Sequence, residues 1–186
     1  AITYSNKVIN AGYSLESNYE WLMLGDNDLN TNEFIFSIPF DNTRVTTWEG
    51  TNFLILGQAS ITEEINGLSP TWGLFAFKPE MINLFPSEDN SIDSRSMIYT
   101  EGRTKEIASI HDNSQGYSGY KFKNYKRDGS TFVQENCCGN LSDMDFPVIR
   151  LAEIYLTYAE AVLRGGNGGN KTDALMYINN LRERAY

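Results

Sequence analysis

Two tryptophans, two tyrosines and a few amide and basic side chains are the residues here whose types and placing suit a chemical task. Trp48, Trp72, Tyr117 and Tyr120 lie in stretches with no sustained period, with Asn52, Arg95 and Lys121 near them in sequence. That set suits a carbohydrate. A sugar ring has C–H patches on its faces, where aromatic rings stack, and hydroxyls around its edge, which Asn, Arg and Lys can satisfy. Trp48 is the best stacking candidate, because Arg44 to Gly50 is mostly polar; the competing reading is a tryptophan that covers the edge of the core. Trp72 heads a Trp-Gly pair, and the nearby Phe75 and Phe77 point towards burial. Trp21 is expected in the core.

Catalytic arrangements find less support. His111 is the one histidine, in a polar Ser-Ile-His-Asp-Asn setting, and neither a Gly-x-Ser-x-Gly elbow nor a His-Glu-x-x-His pair occurs. Glycoside hydrolysis needs only two carboxylates at a suitable separation, for which Glu63–Glu64 and Asp89 with Asp93 are nominal candidates; surface carboxylates are the ordinary reading. Gly165-Gly-Asn-Gly-Gly-Asn170-Lys171-Thr172 nearly spells a phosphate-binding loop, but Asn170 replaces the last glycine and a helix precedes it instead of a strand. A helix connector explains it. Cys137 and Cys138 are adjacent; a free thiol pair is the default and a vicinal disulfide the alternative. A structural zinc would need about four ligands, which this neighbourhood does not supply.

The elements that must position these residues are helical at both ends. Ala1 to Ala11 reads as the end of a helix stopped by Gly12, with Ile2, Val8 and Ile9 as its contacts. Tyr19 to Leu24 continues a short apolar face, and Asn27, Asp28, Asn30 and Asn32 mark a polar turn. Glu33 to Ile38 alternates as a short strand, Pro39 to Ser69 is expected to be irregular, Pro79 starts a short helix, and Ser96 to Ile98 begins a strand. Residues 143–186 predict two antiparallel helices. In the first, Asp145 caps and Pro147 takes the first turn, with Ile149, Ala152, Tyr155, Leu156, Ala159 and Leu163 as its apolar face. Gly165 and Gly166 end it, and Asn170 or Thr172 caps the second, whose stripe is Ala174, Leu175, Ile178, Leu181 and Ala185. Ala159 and Ala174 let the pair approach closely.

A chain of 186 residues can bury one real core, and it carries a net charge of −9. That charge argues against nucleic acid, whose phosphates demand clustered Lys and Arg, and against anionic membrane surfaces. Eleven Tyr, ten Phe and three Trp suit either a sugar-stacking surface or an aromatic core.

The run Asp145-Phe-Pro-Val-Ile-Arg150-Leu-Ala-Glu153-Ile-Tyr-Leu-Thr-Tyr-Ala-Glu160-Ala resembles the signature of the SusD/RagB family, and Ile178-Asn179-Asn180-Leu-Arg182-Glu-Arg184-Ala resembles that family's next helix. Gly12-Tyr13-Ser14-Leu15, Trp72-Gly73 with Lys78-Pro79 to Phe85, Asp93-Ser-Arg95 and Lys121-Phe122-Lys123-Asn124 are similar to further segments of it. The resemblance implies a mainly α fold of tetratricopeptide-like helical hairpins with an inserted loop-rich lobe containing short strands. It divides the chain into a helical segment 1–25, a ligand-binding lobe 33–140 and a helical hairpin 143–186. It implies non-catalytic binding of glycans, or another nutrient, at the surface of Bacteroidetes-type bacteria, and delivery to a SusC-like TonB-dependent outer-membrane transporter. It also implies an outer-membrane lipoprotein whose anchor lies upstream, with this chain as a fragment of it. No cofactor is implied, although the family sometimes holds calcium. Arg150, Glu153 and Glu160 are expected as charges that join helices. A glycoside hydrolase or lyase, and a protein-docking repeat scaffold, are the rival classes.

Overall fold

The computed structural model describes residues 1–29, 32–44, 48–58, 61–86, 92–134 and 140–186. Asn30, Asp89, Cys137 and Cys138 lie outside the described residues. A helical layer at the two chain ends carries an irregular lobe between them. Helix α1 (Ile2–Ile9) packs beside α5 (Leu151–Leu163), which pairs antiparallel with α6 (Lys171–Ala185). Ile2, Tyr158, Ala159, Val162 and Ala174 form one buried cluster, each large apolar side chain contributing about 1.5–3 kcal/mol. The Tyr155 and Tyr177 rings stack at 4.4 Å, and Tyr158 meets Tyr177 edge-on at 5.2 Å.

The hairpin turn follows the sequence closely. Gly165 takes a φ of +82°, which glycine adopts without a Cβ clash. Its N–H reaches Val162 O and that of Gly166 reaches Ala161 O, the pair of bonds that closes a helix C-terminus. Asn170 caps α6 by accepting from the Asp173 N–H at 2.8 Å, so Thr172 lies inside the helix.

The buried faces differ from the expected ones. Leu156, Leu163 and Leu175 are exposed; Leu151, Tyr158 and Val162 are buried in α5 instead. The seam is set by contact with both α1 and α6, which rotates it towards Tyr158 and Val162. The start of α5 differs too. Phe146–Arg150 is strand β4, not the first turn of a helix, and pairs antiparallel with β1 (Phe34–Ile38), Phe34 opposite Arg150 and Ile38 opposite Phe146. Asp145 cannot cap a helix because its carboxylate accepts from the Phe40 N–H at 2.9 Å. Its backbone N–H and C=O are both held by the buried Asn27 amide at 3.0 Å. Pro147 is tolerated opposite Ser37 in a two-stranded ribbon, where one missing donor costs little. Asn27 is therefore an internal clamp and not a surface turn residue.

The lobe also holds more helix than expected. Within Pro39 to Ser69 lie α2 (Thr51–Leu56) and α3 (Glu63–Asn66), each too short for periodicity to show. Helix α4 (Pro79–Ile82) begins at Pro79 as expected, and β2 (Ile98–Tyr99) pairs with β3 (Ser118–Gly119). With so little regular structure, buried asparagines satisfy the lobe's backbone groups, as buried N–H and C=O require. Asn124 Oδ1 accepts from the Asp143 N–H at 2.8 Å, Asn66 Oδ1 from the Leu68 N–H at 2.9 Å, and Asn42 Nδ2 donates to Asp143 at 2.9 Å.

The charges expected to join helices do not pair helix to helix. Arg150 sits at the end of β4 and donates to the buried Glu33 at 2.8 Å, while Glu160 pairs with Arg164 one turn on. Among the described residues, no helix is long and apolar enough to cross a membrane.

Candidate functional site: an aromatic row on helix α2

Helix α2 buries Thr51, Asn52, Ile55 and Leu56, which leaves Phe53 turned outward. The last carbonyls of a helix lack partners within it. Here the extended segment 72–75 supplies them: Trp72 N–H donates to Leu56 O at 2.6 Å, Leu74 and Phe75 N–H to Gly57 O at 2.9 and 3.2 Å, and Gly73 N–H to Gln58 O at 3.3 Å. The segment is thus laid along the helix end, and its rings line up with those of Phe53 and Trp48. Ring centroids are 6.1 Å apart for Trp48 and Trp72, 6.3 Å for Phe53 and Trp72, and 5.5 Å for Phe53 and Phe75. Gly57 makes the closeness possible, since a Cβ there would stand 2.2 Å from the Phe75 ring.

Trp48 is 45% exposed and Phe53 46%, so the row presents ring surface to solvent. Trp72 is half-buried and rests, with Phe122, on the Ile55, Leu56 and Leu68 cluster. The row therefore has one anchored indole and one free indole. Phe75 also lines a cleft of about 280 Å³ between segments 73–76 and 103–115. Arg103, Ser109, Asp112, Asn113 and Gln115 bring polar groups to this cleft. Hydrogen bonds from the Ser114 hydroxyl and N–H hold the Asp112 carboxyl below its usual range, so it stays an acceptor. Arg103 is fixed by donating to Gly116 O at 2.6 Å and Gln115 O at 3.0 Å.

The other residues singled out from the sequence lie elsewhere. Asn52 is buried, and its Oδ1 accepts from the Ser142 N–H at 2.5 Å. Tyr117 is half-buried and bridges Phe77 through the backbone, where Phe77 N–H reaches Tyr117 O at 2.6 Å. Arg95 grips Asp93 through Nε at 2.9 Å and Nη2 at 2.6 Å. Lys121 lies over the Tyr19 and Phe122 rings, at 5.6 and 5.4 Å. Tyr120 lines a different groove and carries the Lys123 ammonium 4.9 Å over its ring. Of the seven, the fold brings Trp48 and Trp72 together. Sequence reading missed Phe53 and took Phe75 only as a sign of burial. The run Asn52, Ile55 and Leu56 at helical spacing was the one signal that Phe53 faces outward.

A glycosidase acid must hold a proton near neutrality. The candidates available do the opposite: the Thr62 hydroxyl keeps the exposed Glu64 low, and Arg95 keeps Asp93 low. His111 is exposed.

Comparisons with known proteins bear on this arrangement. The sequence profile of the SusD family matches residues 99–186. The starch-binding protein SusD of Bacteroides thetaiotaomicron is 28% identical over 228 residues, covering 98% of this chain and 40% of that protein. Over residues 99–186 the chain is thus similar to the SusD family. A SusD-like protein of Bacteroides ovatus is likewise 28% identical, over 182 residues, covering 95% of this chain and 32% of its own length. The chain spans less than half the length of the curated relatives it matches. Its fold is that of the solved superfamily members. Surface glycan-binding protein A of Bacteroides thetaiotaomicron, solved with laminarihexaose, superposes with a TM-score of 0.71 at 16% identity, over 99% of this chain and 42% of that one. A SusD superfamily protein of Parabacteroides distasonis gives 0.63 at 22% identity, over 99% and 38%.

Proposed function

We propose that this chain is the glycan-binding part of a non-catalytic surface capture protein. The observation that carries the reading is the row of Trp48, Trp72, Phe53 and Phe75, half-exposed and next to a cleft of mixed polar and apolar lining. Trp48 and Phe53 supply faces for sugar rings, Trp72 fixes the row to the core, and the cleft supplies hydroxyl partners. The named ligands of the relatives support the ligand class: starch for SusD of Bacteroides thetaiotaomicron and laminarihexaose for surface glycan-binding protein A. In this reading, the lobe 33–140 binds and the helices of 1–25 and 143–186 are scaffold. The full-length protein is lipid-anchored on the outer membrane and passes its glycan to a SusC-like TonB-dependent transporter.

Affinity electrophoresis in native gels cast with starch, laminarin or xylan tests this, with chromatography of the recovered polysaccharide. Retardation by at least one glycan, with no released oligosaccharide, is expected. Unretarded migration in all gels overturns binding, and released product overturns the non-catalytic reading.

A further inference from the structure

A groove that shares no lining residue with the Trp48 row passes over α3. It consists of two adjoining hollows of about 390 and 470 Å³, both lined by Glu64, Ile65 and Lys123. Each is within the size of ligand sites, roughly 300–1,000 Å³. Trp21 and Tyr125 wall one hollow, Tyr99 and Tyr120 the other.

The groove is electrically polarised. At the Trp21 end stand Lys126 and Arg127. The Arg127 guanidinium lies 4.9 Å over the Trp21 ring and the Lys126 ammonium 4.8 Å over Phe132. In a chain of net charge −9, neither has a carboxylate within ion-pair distance among the described residues. Lys123, by contrast, is paired with Glu20. Asp26 uses Oδ2 for the Arg127 backbone N–H at 3.0 Å and makes no ion pair with its guanidinium. The Arg127 Nε and Nη2 are buried and have no hydrogen-bond partner. Burying such donors without an acceptor is costly, and native proteins seldom leave it uncompensated. Those two atoms are sealed off, so an anion in the groove meets the rest of a guanidinium that is already partly stripped of water, and it gains more there than at a fully hydrated lysine. A planar guanidinium suits a carboxylate. At the other end Glu101 disfavours a second carboxylate, and it and Glu64, which lines both hollows, accept hydroxyls beside the rings of Tyr99 and Tyr120.

We infer that this groove is a second binding site, for a saccharide bearing a carboxylate, with the uronate at Arg127 and Lys126 and neighbouring rings against Tyr125 and Tyr120. It is independent of the Trp48 row, so mutation separates the two.

Calorimetric titration of the 186-residue chain with trigalacturonate and with its fully methyl-esterified form tests the assignment, at low and high salt. The acid form should bind about tenfold more tightly than the ester, and Arg127→Gln should weaken it about tenfold, as loss of a charge-assisted bond implies. Lys126→Gln should weaken it a few-fold, Trp48→Ala should leave it unchanged, and salt should weaken it. Equal binding of acid and ester, no binding of the acid, or a loss in Trp48→Ala with retention in both basic variants overturns the inference. Arg127 packs on Trp21; if Arg127→Gln does not fold, Lys126→Gln and the ester comparison decide.

Discussion

Arg184, in the last turn of α6, donates to the carboxylate of Glu33 at 2.5 Å across 151 residues of chain. The Glu33 side chain is 0% exposed. Its other oxygen takes Arg150 at 2.8 Å, and the Glu16 N–H adds a third bond at 2.9 Å. Both guanidinium groups also lie over the Tyr19 ring, at 5.4 Å for Arg184 and 6.0 Å for Arg150. One carboxylate thereby joins the end of α6, the start of β1 and the end of β4, and ties the helical layer to the lobe.

Glu33→Gln leaves two inward-facing guanidinium groups without their anion. Breaking a buried pair from one side costs about 3–5 kcal/mol. Urea denaturation should show a loss of about 3 kcal/mol, the low end, because Arg150 remains partly exposed. A loss within experimental scatter would contradict the role assigned to Glu33.

Asp93 governs an acid limb of the stability curve. Hydrogen bonds from the Arg95 side chain, with its N–H and charge, hold the Asp93 carboxyl below the ordinary aspartate value near 3.8. The folded-state pKa is thus depressed relative to the unfolded one. The stabilisation is complete above about pH 4 and is lost as pH falls through the folded value. Asp93→Asn should remove that part of the slope and lower stability at neutral pH by about 1 kcal/mol, discounted because Arg95 is partly exposed. Melting curves from pH 7 to pH 2 check it; an unchanged acid slope in the variant would count against it.

Gly57→Ala should damage the row as well as the fold. The new Cβ would stand 2.2 Å from the Phe75 ring and 2.5 Å from the Phe53 carbonyl oxygen. The ring must move, and the Phe53–Phe75 contact opens. Glycan affinity should fall about tenfold, while stability falls by about 1–3 kcal/mol, the usual cost of overpacking. Titration alongside thermal melting separates the two effects; unchanged affinity would place Phe75 outside the site.

Much of the helical layer was legible in the sequence, because α5, the Gly165 turn and the Asn170 cap depend on near neighbours. The start of α5 was not. Asp145 and Pro147 satisfy the local rules for a helix start, but Asn27 and Phe40, more than a hundred residues away, take the groups that a cap would use. The lobe failed for the same reason: α2 and α3 are too short to show a period, and the end of α2 is completed by the backbone of residues 72–75. At the proposed site, aromatic type singled out Trp48 and Trp72, which the fold places 6.1 Å apart. The helical spacing of Asn52, Ile55 and Leu56 hinted that Phe53 faces outward, but nothing local could reveal that Arg127 Nε and Nη2 would be buried without a hydrogen-bond partner.

The most direct test of glycan capture is a tryptophan-fluorescence titration with neutral hexaoses of α- and β-linked glucose, on the wild type, Trp48→Ala and Phe53→Ala. A saturable change with at least one hexaose is expected, abolished by Trp48→Ala and weakened about tenfold by Phe53→Ala, in keeping with the loss of a stacking ring. Undiminished affinity in Trp48→Ala, or no response of the wild type to either hexaose, would contradict the assignment of the Trp48–Trp72 row as the glycan platform.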